Sequence, residues 1–353
     1  MKKFMILVFF LAISGVMACE PVQDSAQYKP ESFLNLTLNN RGYEFDPMPQ
    51  VKDPYVKHLN SLSIPENKVL RILEIGGAYG KLLRETFARA EYKVIKHIVY
   101  DFCELDKGHV DIAKDVFERD FPLRKEQVNY IISDALDFLD KTDFTYDIIL
   151  ICNVVHFLSP TQLLDILQNM KKRLDINGKI YGMAQTPYYN FEKDQVKLFQ
   201  PGMPCPIVPG EEINRQMFEK LRKMGCLFPG FPGINSPSLN LNTTSPCDYN
   251  SLDKVNLSII LEEFGFNYEI SEFSYDDRTY YLSGKRWVSF ILSKGVDNES
   301  PKIMEFYQKA KIEETLNIRI FQQILKANIN NIYSSWLDYL KALGVKEASN
   351  VMI

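Results

Sequence analysis

Between residues 69 and 184, short apolar runs alternate with segments whose apolar positions recur every three or four residues. The runs Val69–Ile75, Val94–Tyr100, Val128–Ile132, Asp147–Cys152 and Lys179–Met183 predict strands, and Lys81–Ala90, Ala113–Glu118 and Thr161–Leu174 predict the helices between them. Strand–helix–strand units in series imply a parallel sheet with helices on both faces, because parallel neighbours need a crossover. The same rhythm resumes with a helix over Leu252–Phe264 and strands over Tyr268–Phe273 and Trp287–Leu292. The expected architecture is α/β, a doubly wound and mostly parallel sheet.

Several stretches break this pattern. Residues 185–250 hold 9 of the chain's 18 prolines, and only Glu211–Met224 reads as helical, so this stretch is expected to be an insert after the fifth strand that walls or lids a pocket. Surface decoration or a subunit contact is the other reading of the insert. Residues 19–65 are polar and proline-punctuated, with aromatics that suit an extension or cap. From Lys302 to Leu343, apolar residues recur at helical spacing, including Phe321, Leu325, Ile332 and Trp336; that stripe suits core packing or a homodimer contact. At the amino terminus, Lys2 and Lys3 precede the apolar run Phe4–Ala12, and Val16 and Ala18 stand before Cys19. This pattern predicts a signal peptide over residues 1–18 and an exported protein, with a lipid on Cys19 as the membrane attachment it suggests and a cytoplasmic protein as the alternative. The sheet domain then spans 66–295 and a helical segment 296–353.

Composition narrows the chemistry. The chain has 353 residues, with 41 lysines and arginines against 45 acids and a net charge of -4, which disfavours nucleic acid as a substrate. Six cysteines lack paired CxxC blocks or Cys/His clusters, so no metal site is suggested. Cys205, Cys226 and Cys247 stand 21 apart and could include one disulfide after export, or all be ordinary buried thiols.

The chemistry-bearing motif is Arg71-Ile72-Leu73-Glu74-Ile75-Gly76-Gly77-Ala78-Tyr79-Gly80, a buried strand running through a small-residue turn into a helix. Gly76, Ala78 and Gly80 keep bulk away where backbone must approach a ligand, and Gly77 adds to that turn. Glu74 before the turn and the absence of a Lys-Ser or Lys-Thr pair after Gly80 exclude a P-loop, and the acid suits a ligand with a cationic end. Asp101 and Asp134 fall where the next two strands are expected to end, along one rim of a doubly wound sheet. Asp101, 27 residues after Glu74, suits an acceptor for two ribose hydroxyls; Asp134, with Ala135 and Leu136, suits an adenine ring. Each acid alone reads equally as a solvated loop residue or a helix cap.

These residues resemble the class I S-adenosylmethionine-dependent methyltransferases, over about residues 66–184 and less specifically 252–294. Glu74 to Gly80 is similar to the family's first motif, Asp101 to its second-strand acid, Ser133–Phe138 to its third motif, and Tyr146–Leu158 to its fourth. The resemblance implies a seven-stranded Rossmann-like sheet and S-adenosyl-L-methionine as cofactor. By it, Gly76, Ala78 and Gly80 face the methionine and ribose portions, Glu74 orders the amino end, Asp101 holds the ribose, and Asp134 with Ala135 holds the adenine. Asn153 stands at the fourth strand's end, where it can bond cofactor or acceptor. His156 is the candidate general base, with an ordinary pKa near neutrality; the competing reading is that Val154–Leu158 opens the next helix and His156 packs or caps there.

The acceptor is expected to be a small molecule or a protein side chain. The Asn153-Val154-Val155-His156 segment lacks the prolines and aromatic of enzymes that methylate exocyclic base amines, and Cys152 lacks the preceding proline of a cytosine-ring nucleophile. The alternatives are a catalytically silent methyltransferase-like binding or envelope protein, and aminopropyl transfer on a related scaffold.

Overall fold

The computed structural model describes residues 49–155, 158–186, 190–191, 215, 218–219, 221–223, 225–228, 252–274, 282–283, 287–295 and 302–326, with side chains of the last helix described to Glu314. The expected signal peptide with Cys19, the residues before 49, His156, Cys205, Cys247, most of the insert and the apolar stripe beyond residue 314 lie outside the described residues.

The described strands are β1 (Leu70–Ile75), β2 (Ile98–Glu104), β3 (Val128–Ile132), β4 (Tyr146–Cys152), β5 (Leu174–Gln185), β6 (Phe266–Phe273) and β7 (Trp287–Lys294). They form one seven-stranded sheet in the order β3-β2-β1-β4-β5-β7-β6. Strands β1 to β5 pair in parallel, whereas β7 runs antiparallel to both β5 and β6. The doubly wound, mostly parallel expectation holds. Antiparallel β7 fits a link from β6 with no helical crossover among its described residues, since a parallel neighbour needs one. A separate two-residue ribbon pairs Asn190–Phe191 with Leu282–Ser283.

Helices cover both faces. On one lie α1 (Pro49–Ser61), α2 (Lys81–Arg89) and α3 (Lys107–Asp120), which bury Tyr55, Leu59, Leu83, Phe87 and Phe117 against Ile72, Tyr100, Ile148 and Tyr181. On the other lie α4 (Ala135–Lys141), α5 (Pro160–Arg173), α6 (Lys254–Glu263) and α7 (Lys302–Lys326), packed on Leu73, Ile149, Ile151 and Ile180. Burial on both faces explains why the central strands read as continuous apolar runs. The α1 helix, in the stretch expected to be an extension, is a layer of this core: Tyr55 is fully buried and its ring lies 5.7 Å from that of Tyr181.

Two strand boundaries differ from expectation in ways that matter for the site. Tyr92–Ile95 forms a single helical turn, and β2 therefore starts at Ile98 and runs four residues beyond Tyr100. On the carboxyl side, Glu313 of α7 is buried and accepts from the Cys226 thiol at 3.0 Å and from the backbone N–H groups of Leu227 and Phe228 at 3.0 and 2.7 Å.

Candidate functional site

The order in which strands are added reverses between β1 and β4: β2 and β3 build outward on one side of β1, and β4 returns to its other side, parallel to it. In open α/β sheets, ligands bind outside the carboxyl ends of the strands at such a switch point. Two tight turns stand there. After β1, Gly76, Ala78 and Gly80 adopt φ of 66°, 46° and 71°; after β4, Asn153 adopts φ of 60°. All four sit in the left-handed region, where non-glycine residues carry a cost and tend to mark functional backbone.

The glycines answer to the protein as much as to a ligand. A Cβ on Gly76 would lie 2.3 Å from Val154 Cγ2, and one on Gly77 would lie 2.2 Å from Phe102 Cε2 and 2.9 Å from Glu74 Cδ. Gly76 therefore allows the two turns to touch, and Gly77 allows the loop to lie flat on β2. Gly76→Ala combines a left-handed φ with this overlap, so it is expected to destabilise the fold by about 1–3 kcal/mol, read as a lowered midpoint in denaturant unfolding.

The acid at the rim is Glu104, the last residue of β2. Its Oε2 accepts from the Ala78 N–H at 2.9 Å, its Oε1 accepts from the Asp106 N–H at 3.1 Å, and His109 Nδ1 lies 3.6 Å from Oε1. Burial by itself would raise its pKa, yet His109 and the two N–H groups outweigh that and hold the carboxyl below its ordinary value. Leu105 follows, 69% exposed, and Ile132 at the end of β3 is 52% exposed, so apolar surface stands open beside the carboxylate. Ser133 N–H donates to the Glu104 carbonyl at 3.1 Å, which ties the ends of β2 and β3 together.

The structure corrects the role expected of Asp101. It lies in mid-strand opposite Leu73, three residues or about 10 Å from the end of β2 at about 3.3 Å per residue. There it is 2% exposed and fully engaged: Arg71 Nη1 at 3.2 Å, Asn129 Nδ2 at 2.6 Å and the Tyr146 hydroxyl at 2.9 Å all donate to it. Asp101 is a structural acid that neutralises Arg71 inside the sheet, and it does not reach the rim. Glu104 occupies the strand-end position expected of it. The signal for Glu104 was present in the sequence, since Phe102 and Cys103 continue the apolar run past Asp101.

Glu74 also differs from expectation. It faces the α1–α2–α3 side and is 5% exposed, with its carboxyl against Gly77 and the Tyr100 hydroxyl donating to Oε2 at 2.7 Å. It supports the loop from below. Burial, with a contribution from the Glu104 charge, pushes its pKa up to about 8 against the opposing Tyr100 hydrogen bond.

Asp134 stands at the rim after β3, where its Oδ1 accepts from the Leu136 and Asp137 N–H groups and caps α4; Ala135 begins that helix. Asn153 directly follows β4, and its N–H donates to the Met183 carbonyl at 3.0 Å. Its Oδ1 is buried with no hydrogen-bond partner among the described residues. A buried acceptor of this kind costs free energy until a donor arrives. Ser159 and Gln162 form a capping box that starts α5 just beyond, with Pro160 in the first turn. Cys152 is no nucleophile: burial pushes its thiol well up, so thiolate is not formed near neutral pH. The tertiary structure thus gathers Gly76, Gly77, Ala78, Gly80, Glu104, Leu105, Asp134, Ala135 and Asn153 along one rim, with Glu74 underneath and Asp101 excluded. Among the described residues no cluster suits a metal ion.

Comparison with known proteins agrees with this geometry. Residues 73–180 match a methyltransferase domain family. Two curated relatives are similar over part of their length. A polyamine aminopropyltransferase of Methanocaldococcus jannaschii is 25% identical over 141 residues, 39% of this chain and 45% of the relative. Spermidine synthase 2 of Arabidopsis thaliana is 36% identical over 98 residues, 27% of each chain. The chain thus spans less than half the length of either curated relative. Among solved structures, the CurJ carbon methyltransferase superposes with a TM-score of 0.49 at 17% identity, over 82% of this chain and 67% of that one. Residues 73–180, less than half of the chain, thus carry the likeness to a methyltransferase domain, on the doubly wound sheet described above.

Proposed function

We propose that the protein transfers a methyl group from S-adenosyl-L-methionine to a small-molecule or protein acceptor. The observation that carries this reading is the orphaned Oδ1 of Asn153, a buried acceptor at the switch point beside the Gly76 turn. The residues present fit the cofactor. Glu104 offers carboxylate oxygens to paired ribose hydroxyls, Leu105, Ile132 and Ala135 offer apolar surface to the adenine with Asp134 at its edge, and Asn153 Oδ1 takes an N–H donor from the amino end. Bound, the cofactor supplies an electrophilic methyl on a sulfonium. The chain's own task is to align an acceptor beyond Asn153 and exclude water, which in such transfers carries most of the acceleration. His156, three residues past Asn153, is proposed as the base for an acceptor that must lose a proton.

Aminopropyl transfer is a second reading, favoured by the likeness to a polyamine aminopropyltransferase and a spermidine synthase. Its donor lacks the carboxylate of S-adenosylmethionine, so the two readings differ in a measurable preference. Calorimetric titration of the protein with S-adenosylmethionine, its decarboxylated form and S-adenosylhomocysteine separates them. Micromolar binding of the first and third supports methyl transfer, preference for the decarboxylated form shifts the assignment to aminopropyl transfer, and no binding by folded protein leaves a silent scaffold. We further propose export, from the amino-terminal pattern of residues 1–19, with the cofactor met in a recipient compartment or bound before export; mass analysis of mature protein from the native cell tests cleavage and lipidation.

A further inference from the structure

The Glu104 carboxylate is held from three directions. The Ala78 N–H of the glycine turn donates to Oε2 at 2.9 Å, the Asp106 N–H donates to Oε1 at 3.1 Å, and His109 of α3 brings its Nδ1 to 3.6 Å from Oε1. That last distance is longer than a hydrogen bond, so the contact is electrostatic and orients the carboxylate without occupying a lone pair. The facing carboxylate selects the tautomer with a proton on Nδ1, and the cation carries one there too, so the contact is attractive in either state. His109 is itself fixed. Its backbone N–H donates to Asp106 Oδ1 at 3.1 Å in the cap that starts α3, and its ring meets that of buried Tyr79 edge-on, with centroids 4.9 Å apart. One turn further along the same face of α3, Ala113 lies so close to the loop that a Cβ on Gly80 would come within 3.1 Å of its Cβ. The contacts therefore close a circuit from Glu104 through Ala78, Tyr79 and His109 back to Glu104. Burial opposes the Glu104 charge, and His109 leads the groups that offset it.

We propose that His109 is a positioning residue for the cofactor's ribose: set between Tyr79 of the glycine loop and Glu104, it fixes the direction in which the carboxylate's open lone pairs point, and with it the preference for a ligand that carries both ribose hydroxyls. The inference deepens the reading of Glu104 as the ribose acceptor and rests on it. The two backbone N–H groups use one site on each oxygen and leave about two for hydroxyls. What those sites contribute depends on their aim, because hydrogen bonds weaken steeply as their angles depart from linear. Without the imidazole, the carboxylate keeps its charge and its backbone partners and loses the contact that limits its tilt. The edge contact with Tyr79 carries the same constraint to the glycine loop. A histidine that only packed against Tyr79 would matter equally to every ligand of that loop, whereas one that acts through Glu104 matters only to ligands with hydroxyls to offer.

The test is calorimetric titration of the full chain with S-adenosylhomocysteine and with its 2′,3′-dideoxy analogue, for wild type, His109→Phe and His109→Asn. His109→Phe keeps a ring against Tyr79 and removes the donor. It should lower affinity for S-adenosylhomocysteine by about three- to tenfold, as for one lost polar contact, and leave the dideoxy analogue within about twofold. His109→Asn places an amide nitrogen near the Nδ1 position and should restore most of the loss. In a Glu104→Ala background His109→Phe should cost no further affinity, because the two side chains act as one unit. His109→Leu carries the same comparison if His109→Phe does not fold. A folded variant of either kind that loses affinity equally for both ligands, or for neither, overturns the proposal and leaves the cofactor site intact. Wild type that binds both ligands equally overturns the Glu104 assignment, and folded wild type that binds neither overturns the cofactor reading.

Discussion

Replacing Glu104 by alanine is expected to weaken S-adenosylmethionine binding by about a hundredfold or more. The carboxylate serves two sets of donors at once. Within the protein it accepts from the Ala78 and Asp106 N–H groups, which hold the β1 turn and the start of α3 in place. In the proposed cofactor site, its remaining lone pairs would accept from the ribose hydroxyls. Hydrogen bonds to a charged acceptor are worth about 1.5–3 kcal/mol each, and two lost together exceed the 2.8 kcal/mol or so of a hundredfold change. Glu104→Gln keeps the shape and one acceptor, so a smaller loss is expected. The folded pKa of Glu104 is depressed, so its contribution to stability is fully present above the ordinary carboxylate value and is lost only as pH falls through the lower folded value. Titration calorimetry on folded Glu104→Ala decides the matter, and affinity within threefold of wild type would remove Glu104 from the site.

Asp101→Ala is expected to behave in the opposite way, lowering stability and sparing the ligand. Removing this carboxylate leaves Arg71 without its partner inside the sheet and strands the Asn129 amide and the Tyr146 hydroxyl. Breaking a buried pair by deleting one member costs about 3–5 kcal/mol, and the low end applies because Arg71 keeps partial access to water and stacks on Phe144 at 3.8 Å. In the folded fraction, cofactor affinity should stay within about twofold, since Asp101 is about three strand residues from the rim. Urea unfolding followed by titration reads both quantities. Lost affinity at unchanged stability would return Asp101 to the ribose position.

This pair of variants turns on a four-residue displacement that local pattern could not reveal. Val94 to Tyr100 is apolar enough to read as a strand, which places an acid just past its end. In the folded chain Tyr92–Ile95 is a helical turn, and β2 continues through Asp101 because that charge is neutralised by Arg71 from the neighbouring strand. An isolated acid in an apolar run argues for a strand end, and an acid with a long-range partner does not. The pairing of residues 30 positions apart is a tertiary fact.

Glu74 shows the same limit on the opposite face. Its place before the glycine turn was legible, and its side was not. Strand alternation puts it with Tyr100 on the face that α1 covers, so it acts on the loop from below. The Asn153 turn was visible as a strand end, whereas its left-handed backbone and unpartnered Oδ1 follow from the contact of the β1 and β4 turns.

By itself the sequence determined the class of fold, the glycine turn and the line of strand ends, because apolar periodicity and the steric demands of left-handed backbone are local properties. Which acid reaches the rim, which lies beneath the loop and which is spent on a buried arginine were decided only by strand register and by the layer of helix α1. Those depend on partners distant in the chain, and a carboxylate's role is set by the charges and donors that surround it.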